Sequence, residues 1–212
     1  MKRICSLLLA LTLAAGALLS FGGCSSSPRV EDVYDRVVEL VEASYELNTV
    51  FYGAGLPVYE ADSLYAEFSN MYYGFEYEGS HESVTPYSKF ATVQQIRDAA
   101  ELVYSKEYLE EVIYPTLFDG YVIPGMGEVK IARYLEDDEW IYQSVKEDAL
   151  YSGIIVYDYS SMKIVAPSDA NACYVEMNAW MENTPDQVKS VRIRLVSQDG
   201  AWFLDSFTGG AL

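Results

Sequence analysis

Few residues in this chain have the types and spacing for chemistry. His81 is the single histidine, set in the polar run Gly79-Ser80-His81-Glu82-Ser83. A Ser-His-Asp triad would have to use it, yet no Gly-x-Ser-x-Gly elbow is present to raise a nucleophile. It reads as an exposed loop histidine. Cys173 falls on the apolar side of an alternating run. Reactive thiols occupy accessible, electropositive settings, so Cys173 reads as a buried small hydrophobe. One histidine and one free cysteine do not make a zinc site of the usual kinds. Glu136-Asp137-Asp138-Glu139 lacks the spacing and glycine of a calcium loop; it reads as a solvated hairpin turn. No metal or cofactor is expected. Paired carboxylates can do acid–base work, but with 32 acidic residues any pair arises by chance. Asp205, alternating with Phe203 and Phe207, is the acid to inspect first, and a strand-end or a solvent-facing position is expected for it. Nineteen tyrosines join Trp140, Trp180 and Trp202. Such rings can stack on sugars, although tyrosine also suits half-buried strands.

The elements that must hold these residues are clearest in the last quarter of the chain. Cys173, Val175, Met177, Ala179 and Met181 alternate with Tyr174, Glu176, Asn178, Trp180 and Glu182. That period of two predicts a strand with one apolar face. Asn183-Thr184-Pro185-Asp186 is turn chemistry. A second strand sends Val191, Ile193 and Leu195 one way and Ser190, Arg192 and Arg194 the other. Asp199-Gly200 is a hairpin signal, because a tight primed turn needs residues that tolerate positive φ. A third strand is expected over residues 201–207. A meander with one apolar face must be covered by another apolar element.

The cover is expected from helices. Pro28 can open one. Val30, Val33, Tyr34, Val37, Leu40, Val41, Tyr45 and Asn48 recur at helical spacing. The helix is expected to stop at Gly53 or Gly55, about 36 Å from its start. Residues 71–77 are aromatic and β-prone, and 78–88 polar and turn-like. Thr92-Val93-Gln94-Gln95 is a capping-box pattern opening one helix. Ser105 caps a second, ended near Pro115. Residues 119–128 read as a loop, 129–135 as a strand, and Trp140-Ile141-Tyr142 as the start of its return. Residues 153–159 and 162–165 read as two short strands around Ser160-Ser161. The expected fold class is α+β: a curved antiparallel sheet packed on a long amino-terminal helix, plus a helical pair.

The amino terminus carries an address. Met1-Lys2-Arg3 is basic, residues 4–19 are apolar, and small residues follow up to Cys24. This is the pattern of a secretory signal peptide, and the apolar run is shorter than the roughly 20 residues that span a bilayer. Gly22-Gly23-Cys24 resembles the lipobox of bacterial lipoproteins, with Phe21 where leucine is usual. The resemblance implies cleavage after residue 23 and lipidation of Cys24. Residues 24–29 are then a short tether and 30–212 a single domain outside the cytoplasm, held to the membrane by its lipid. Cys173 is left as the one free thiol, so no intramolecular disulfide is expected. The whole chain has 14 basic and 32 acidic residues. Removing Lys2 and Arg3 with the leader leaves 12 against 32, a net charge of −20. Such a chain has no basic footprint for nucleic acid; it favours a cationic partner or simple solubility.

The succession of a long first helix, further helices and a meander closing on Gly200-Ala201-Trp202-Phe203-Leu204-Asp205-Ser206-Phe207 resembles the nuclear-transport-factor-2-like fold, or the related cystatin-like arrangement. More narrowly, residues 48–58, 87–112 and Arg133-Tyr134-Leu135-Glu136-Asp137-Asp138-Glu139 resemble the IseA-type D,L-endopeptidase inhibitors of Gram-positive bacteria. The resemblance implies a protein that is not an enzyme and that occupies the cleft of a cell-wall peptidase of the NlpC/P60 type. Glu136, Asp137, Asp138 and Glu139, with the loop at 119–128, are the expected contacts. The alternative is a small-molecule or glycan-binding lipoprotein using the cone-shaped pocket of the fold, which predicts a deep aromatic pocket with a few inward polar groups.

Overall fold

The computed structural model describes residues 27–59, 81–119, 132–138, 140–144 and 154–209. The leader with Cys24, residues 71–77, the loop after Asp119 and Glu139 lie outside them.

Helix α1 spans Val30–Tyr52. Arg29 and Asp32 close its first turn reciprocally: the Arg29 amide donates to Asp32 Oδ2 at 3.0 Å, and the two side chains form an ion pair at 3.0 Å. Its buried stripe is Val33, Val37, Leu40, Val41, Ser44, Leu47, Asn48, Val50 and Phe51. Tyr34, counted on that stripe by spacing, lies off it and is 37% exposed. The helix ends at Gly53, and Gly55 follows with φ +81°. A Cβ on Gly55 would meet Gln143 Oε1 at 2.1 Å. Gln143 there accepts from the Leu56 amide at 2.6 Å and donates to the Ala54 carbonyl at 3.1 Å. Glycine is therefore required both for the left-handed backbone and for the close approach.

Strand β1, His81–Ser83, lies in the stretch expected to be turn-like. It is held by backbone pairing with β3, Ile141–Ser144, which needs no apolar side chains to form. On the other side of β3 lies β2, Tyr134–Glu136; residues 129–131 of the strand expected over 129–135 lie outside the described residues. Helix α2 spans Val93–Glu101, with Thr92 Oγ1 accepting from the Gln95 amide at 3.1 Å. Gln95 reaches back one residue further than a capping box does, to the Ala91 amide at 2.7 Å. Helix α3 starts at Lys106–Tyr108, capped by Ser105, whose Oγ accepts from the Tyr108 amide at 3.1 Å. It widens into π-helical turns over Leu109–Ile113 and Pro115–Asp119. Pro115 does not end it. The proline stands first in the second wide turn.

The second sheet runs β4-β5-β6-β7, all antiparallel: Ile155–Val165, Ala172–Met181, Lys189–Gln198 and Ala201–Leu204. The two strands expected around Ser160-Ser161 are one strand carrying a bulge between Asp158 and Lys163. The serines supply the reason. Ser161 Oγ accepts the Asn178 amide at 2.8 Å and donates to the Asp158 carbonyl at 2.7 Å, so the ladder is bridged rather than turned. Asp199 and Gly200 have φ +53° and +82°, the primed turn that the right-handed strand twist prefers. Strand β7 stops at Leu204 rather than Phe207.

One continuous sheet was expected and two are found. Both edges of β3 are already paired, with β1 and β2, so β4 has no edge of it to join. Helix α1 packs its stripe against the inward side of the second sheet. Val37, Val41, Val175 and Leu195 are fully buried in one cluster with Ile193, Met177 and Leu204. Among the described residues, no helix is long and apolar enough to cross a membrane.

Candidate functional site

The acidic hairpin between β2 and β3 is built by its own carboxylates. Asp137 Oδ1 accepts the Trp140 amide at 2.8 Å and Oδ2 accepts the Tyr142 hydroxyl at 2.9 Å. The Asp137 amide donates to the Trp140 carbonyl at 3.1 Å. Glu136 Oε2 accepts the Val93 amide at 3.2 Å, where the positive end of α2 favours a carboxylate. Two of the expected contact residues therefore hold the hairpin and its neighbouring helix in place. Asp138 is exposed at the apex. Beside it, Trp140 meets the Tyr59 ring edge to face at 6.2 Å. The arrangement offers a hydrogen-bonded turn with an exposed acid, Asp138, and an aromatic flank.

Asp205 sits just past the end of β7, as its place in the run predicts, but it is only 9% exposed rather than solvent-facing. One carboxylate oxygen pairs with Arg194 and the other accepts the Ser105 hydroxyl. Its amide donates to the Arg194 carbonyl at 2.8 Å. Ser105 at the same time caps α3. Asp205 is thus the joint between α3 and the second sheet, and burial follows from that docking. His81 lies on β1 rather than in a loop, paired through its backbone with Ser144. Among the described residues, no group of three or more His, Cys, Asp or Glu side chains is placed to hold a metal ion.

Cys173 is fully buried. Burial pushes its thiol up to about 11, because the thiolate would lose its hydration. Native protein at pH 8 is expected to resist iodoacetamide at Cys173 at least about 100-fold relative to the urea-unfolded chain, read by mass of the trapped adduct. Comparable rates in the two states would show that the β5 face opens readily. Because the folded thiol titrates above its ordinary value, its contribution to stability is complete below that value. The contribution fades as pH rises towards about 11.

Among the described residues, several aromatic side chains pack on one another in or beside the core. Phe51 meets Tyr104 at 6.1 Å, Tyr52 meets Phe207 edge-on at 4.9 Å, and Tyr157 stacks on Tyr159 at 6.4 Å. Two open depressions flank the helices. One of about 360 Å³ lies between α1 and α2, floored by Leu40, Leu47, Phe90 and Val103. The other, of about 310 Å³, lies by α3 and includes Tyr104, Tyr114 and Phe203. Neither is lined by tryptophan.

Two features escaped the sequence reading. Arg133 is 3% exposed, and its guanidinium donates to the carbonyls of Val50 at 2.9 Å and Gly53 at 2.6 Å at the end of α1. The available signal was the absence of any basic residue in the last turn of α1. The second is a polar spine in the core. Asn48 Nδ2 donates to Thr208 Oγ1 at 2.8 Å, Thr208 Oγ1 meets Ser44 Oγ at 2.6 Å, and the Tyr104 hydroxyl donates to Asn48 Oδ1 at 2.7 Å. No protein-family model, no curated protein and no solved structure matches the chain.

Proposed function

We propose that this protein is a lipid-anchored, extracytoplasmic, non-catalytic regulator that restrains a cell-wall D,L-endopeptidase of the NlpC/P60 type. In this reading the domain is a variant of the nuclear-transport-factor-2-like or cystatin-like arrangement, and the membrane is reached through a lipidated Cys24. The observation that carries it is the filling of the sheet's inward side by α1. Val37 and Val41 are fully buried there, and the polar spine occupies the space below them. A ligand cone of the alternative kind would need that space. Recognition then belongs on the outside, and the hydrogen-bonded acidic hairpin supports a macromolecular partner. The net charge of −18 on the whole chain would steer the domain toward a basic substrate groove.

The test uses the soluble domain, an NlpC/P60-type peptidase and a stem-peptide substrate. Inhibition and a stable complex are expected at about 0.01 M salt, with the association rate falling at least tenfold by about 0.3 M as screening shortens. Asp138→Lys is expected to weaken the complex about tenfold without altering the melting temperature. Asp137→Ala should instead cost about 1–2 kcal/mol of folding stability, since it strips the hairpin of two hydrogen bonds. Absence of both binding and inhibition at low salt would end this reading.

A further inference from the structure

We infer that the domain stands end-on at the lipid surface, with the β4–β5 turn against the headgroups and the acidic hairpin at the far end. The inference rests on the lipid-anchor reading. It starts from where the described chain begins. The Ser27 hydroxyl donates to the carbonyl of Ser168, in the turn between β4 and β5. Cys24 precedes Ser27 by three residues, which reach at most about 11 Å. A lipid on Cys24 therefore holds that turn at the membrane.

The rest of the domain is aligned by contacts along α1. Arg36 Nε donates to the Trp202 carbonyl at 3.0 Å, and the Tyr45 hydroxyl to the Ile155 carbonyl at 2.7 Å. Ile155 is the end of β4 opposite Val165. Helix and strand thus run away from the β4–β5 turn together, and the 23 residues of α1 cover about 34 Å. Helix α2 runs back beside α1: Lys89, just before it, pairs with Glu46, while the Leu102 carbonyl at its end accepts Arg36 at 3.3 Å. The start of α2, where Glu136 docks, is therefore distal. Arg133 on the end of α1 places β2 there as well.

The membrane-facing end carries Asp169, Asp199, Glu31 and Asp32 against Arg29 and Lys106, whose amide donates to Gln198 beside the β6–β7 turn. It has the polar, acidic character of a surface that meets headgroups without inserting. The tether, rather than basic adhesion, sets the contact. The geometry offers Asp138 to a partner roughly 30 Å beyond the anchored end.

The test couples the mature chain, from Cys24 to Leu212, through the Cys24 thiol to a maleimide lipid on isotropic bicelles containing a gadolinium-chelate lipid. The buried Cys173 does not compete. Amide signals of Ser168, Asp169 and Asn171 are expected to broaden at least tenfold more than those of Asp138 and Thr184. Equal broadening, or stronger broadening at Asp138 or Thr184, would overturn the orientation. The synthetic link keeps this result separate from the natural anchor. Mass analysis of the protein secreted by a lipoprotein-processing host tests acylation of Cys24 on its own.

Discussion

Arg133→Met is expected to destabilise the domain by about 3–5 kcal/mol, the largest effect of any single substitution considered. The last carbonyls of a helix have no partner within it, and α1 brings no basic residue of its own to that end. Arg133 supplies the donors from 83 and 80 positions along the chain, to Val50 and Gly53. The Tyr134 hydroxyl adds a bond to the same Val50 carbonyl at 2.7 Å, and the guanidinium lies 5.7 Å from the Tyr134 ring centre. Methionine fills much of the volume but takes the guanidinium donor from the Gly53 carbonyl and leaves the buried Val50 carbonyl with the Tyr134 hydroxyl alone. For a domain of this size the loss corresponds to a fall in melting temperature of about 10 °C. Arg133→Lys should recover only part of it, because an ammonium is a point donor and cannot span both carbonyls as the planar fork does. Urea unfolding of the three proteins decides it; a loss below about 1 kcal/mol for the methionine variant would show that water takes over the capping.

Asn48→Leu is the second large effect, with a loss of about 3 kcal/mol expected. The substitution takes the Asn48 acceptor from the Tyr104 hydroxyl and leaves Thr208 Oγ1 with Ser44 Oγ, in a core where Asn48 is fully buried and Tyr104 1% exposed. The distinguishing measurement is a double-mutant cycle. Removing the Tyr104 hydroxyl as well, with Tyr104→Phe, takes away the donor that Asn48→Leu strands. The double variant should therefore be at least about 1 kcal/mol more stable than the sum of the singles predicts. Strict additivity would mean that the two side chains do not share a bond that matters. The Tyr157 hydroxyl also donates to the Thr208 carbonyl, so the spine ties α1, β4 and the carboxyl-terminal segment at one point.

Both predictions concern residues whose roles depend on distant partners, and that marks what sequence could supply. The meander was legible because its information is local. Alternation in β5 and β6 chooses the buried face, and Asp199-Gly200 chooses the turn, within a few residues. The stripe of α1 and the caps at Thr92 and Ser105 are local in the same sense. Where local cues were weak or ambiguous the reading failed. His81–Ser83 has a polar sequence and becomes a strand because β3 offers it an edge. Ser160-Ser161 looks like a turn and becomes a bulge because β5 runs past it.

For the candidate site the division is sharper. Sequence alone determined that an acidic stretch lies between two strands, with Asp137 and Asp138 between β2 and β3, that Cys173 faces the core, and that the chain carries a strong negative charge. Only the tertiary structure decided which partners those acids take. Glu136, although exposed, accepts the amide of Val93, Asp137 accepts from Trp140 and Tyr142, and Asp138 is exposed at the apex. Only the tertiary structure buried Asp205 between Arg194 and Ser105, or brought Arg133 to the end of α1. The physical reason is that periodicity and turn propensity act over a few residues, whereas a buried charge or carbonyl is satisfied by whatever donor the packed chain brings within about 3 Å, at any sequence separation.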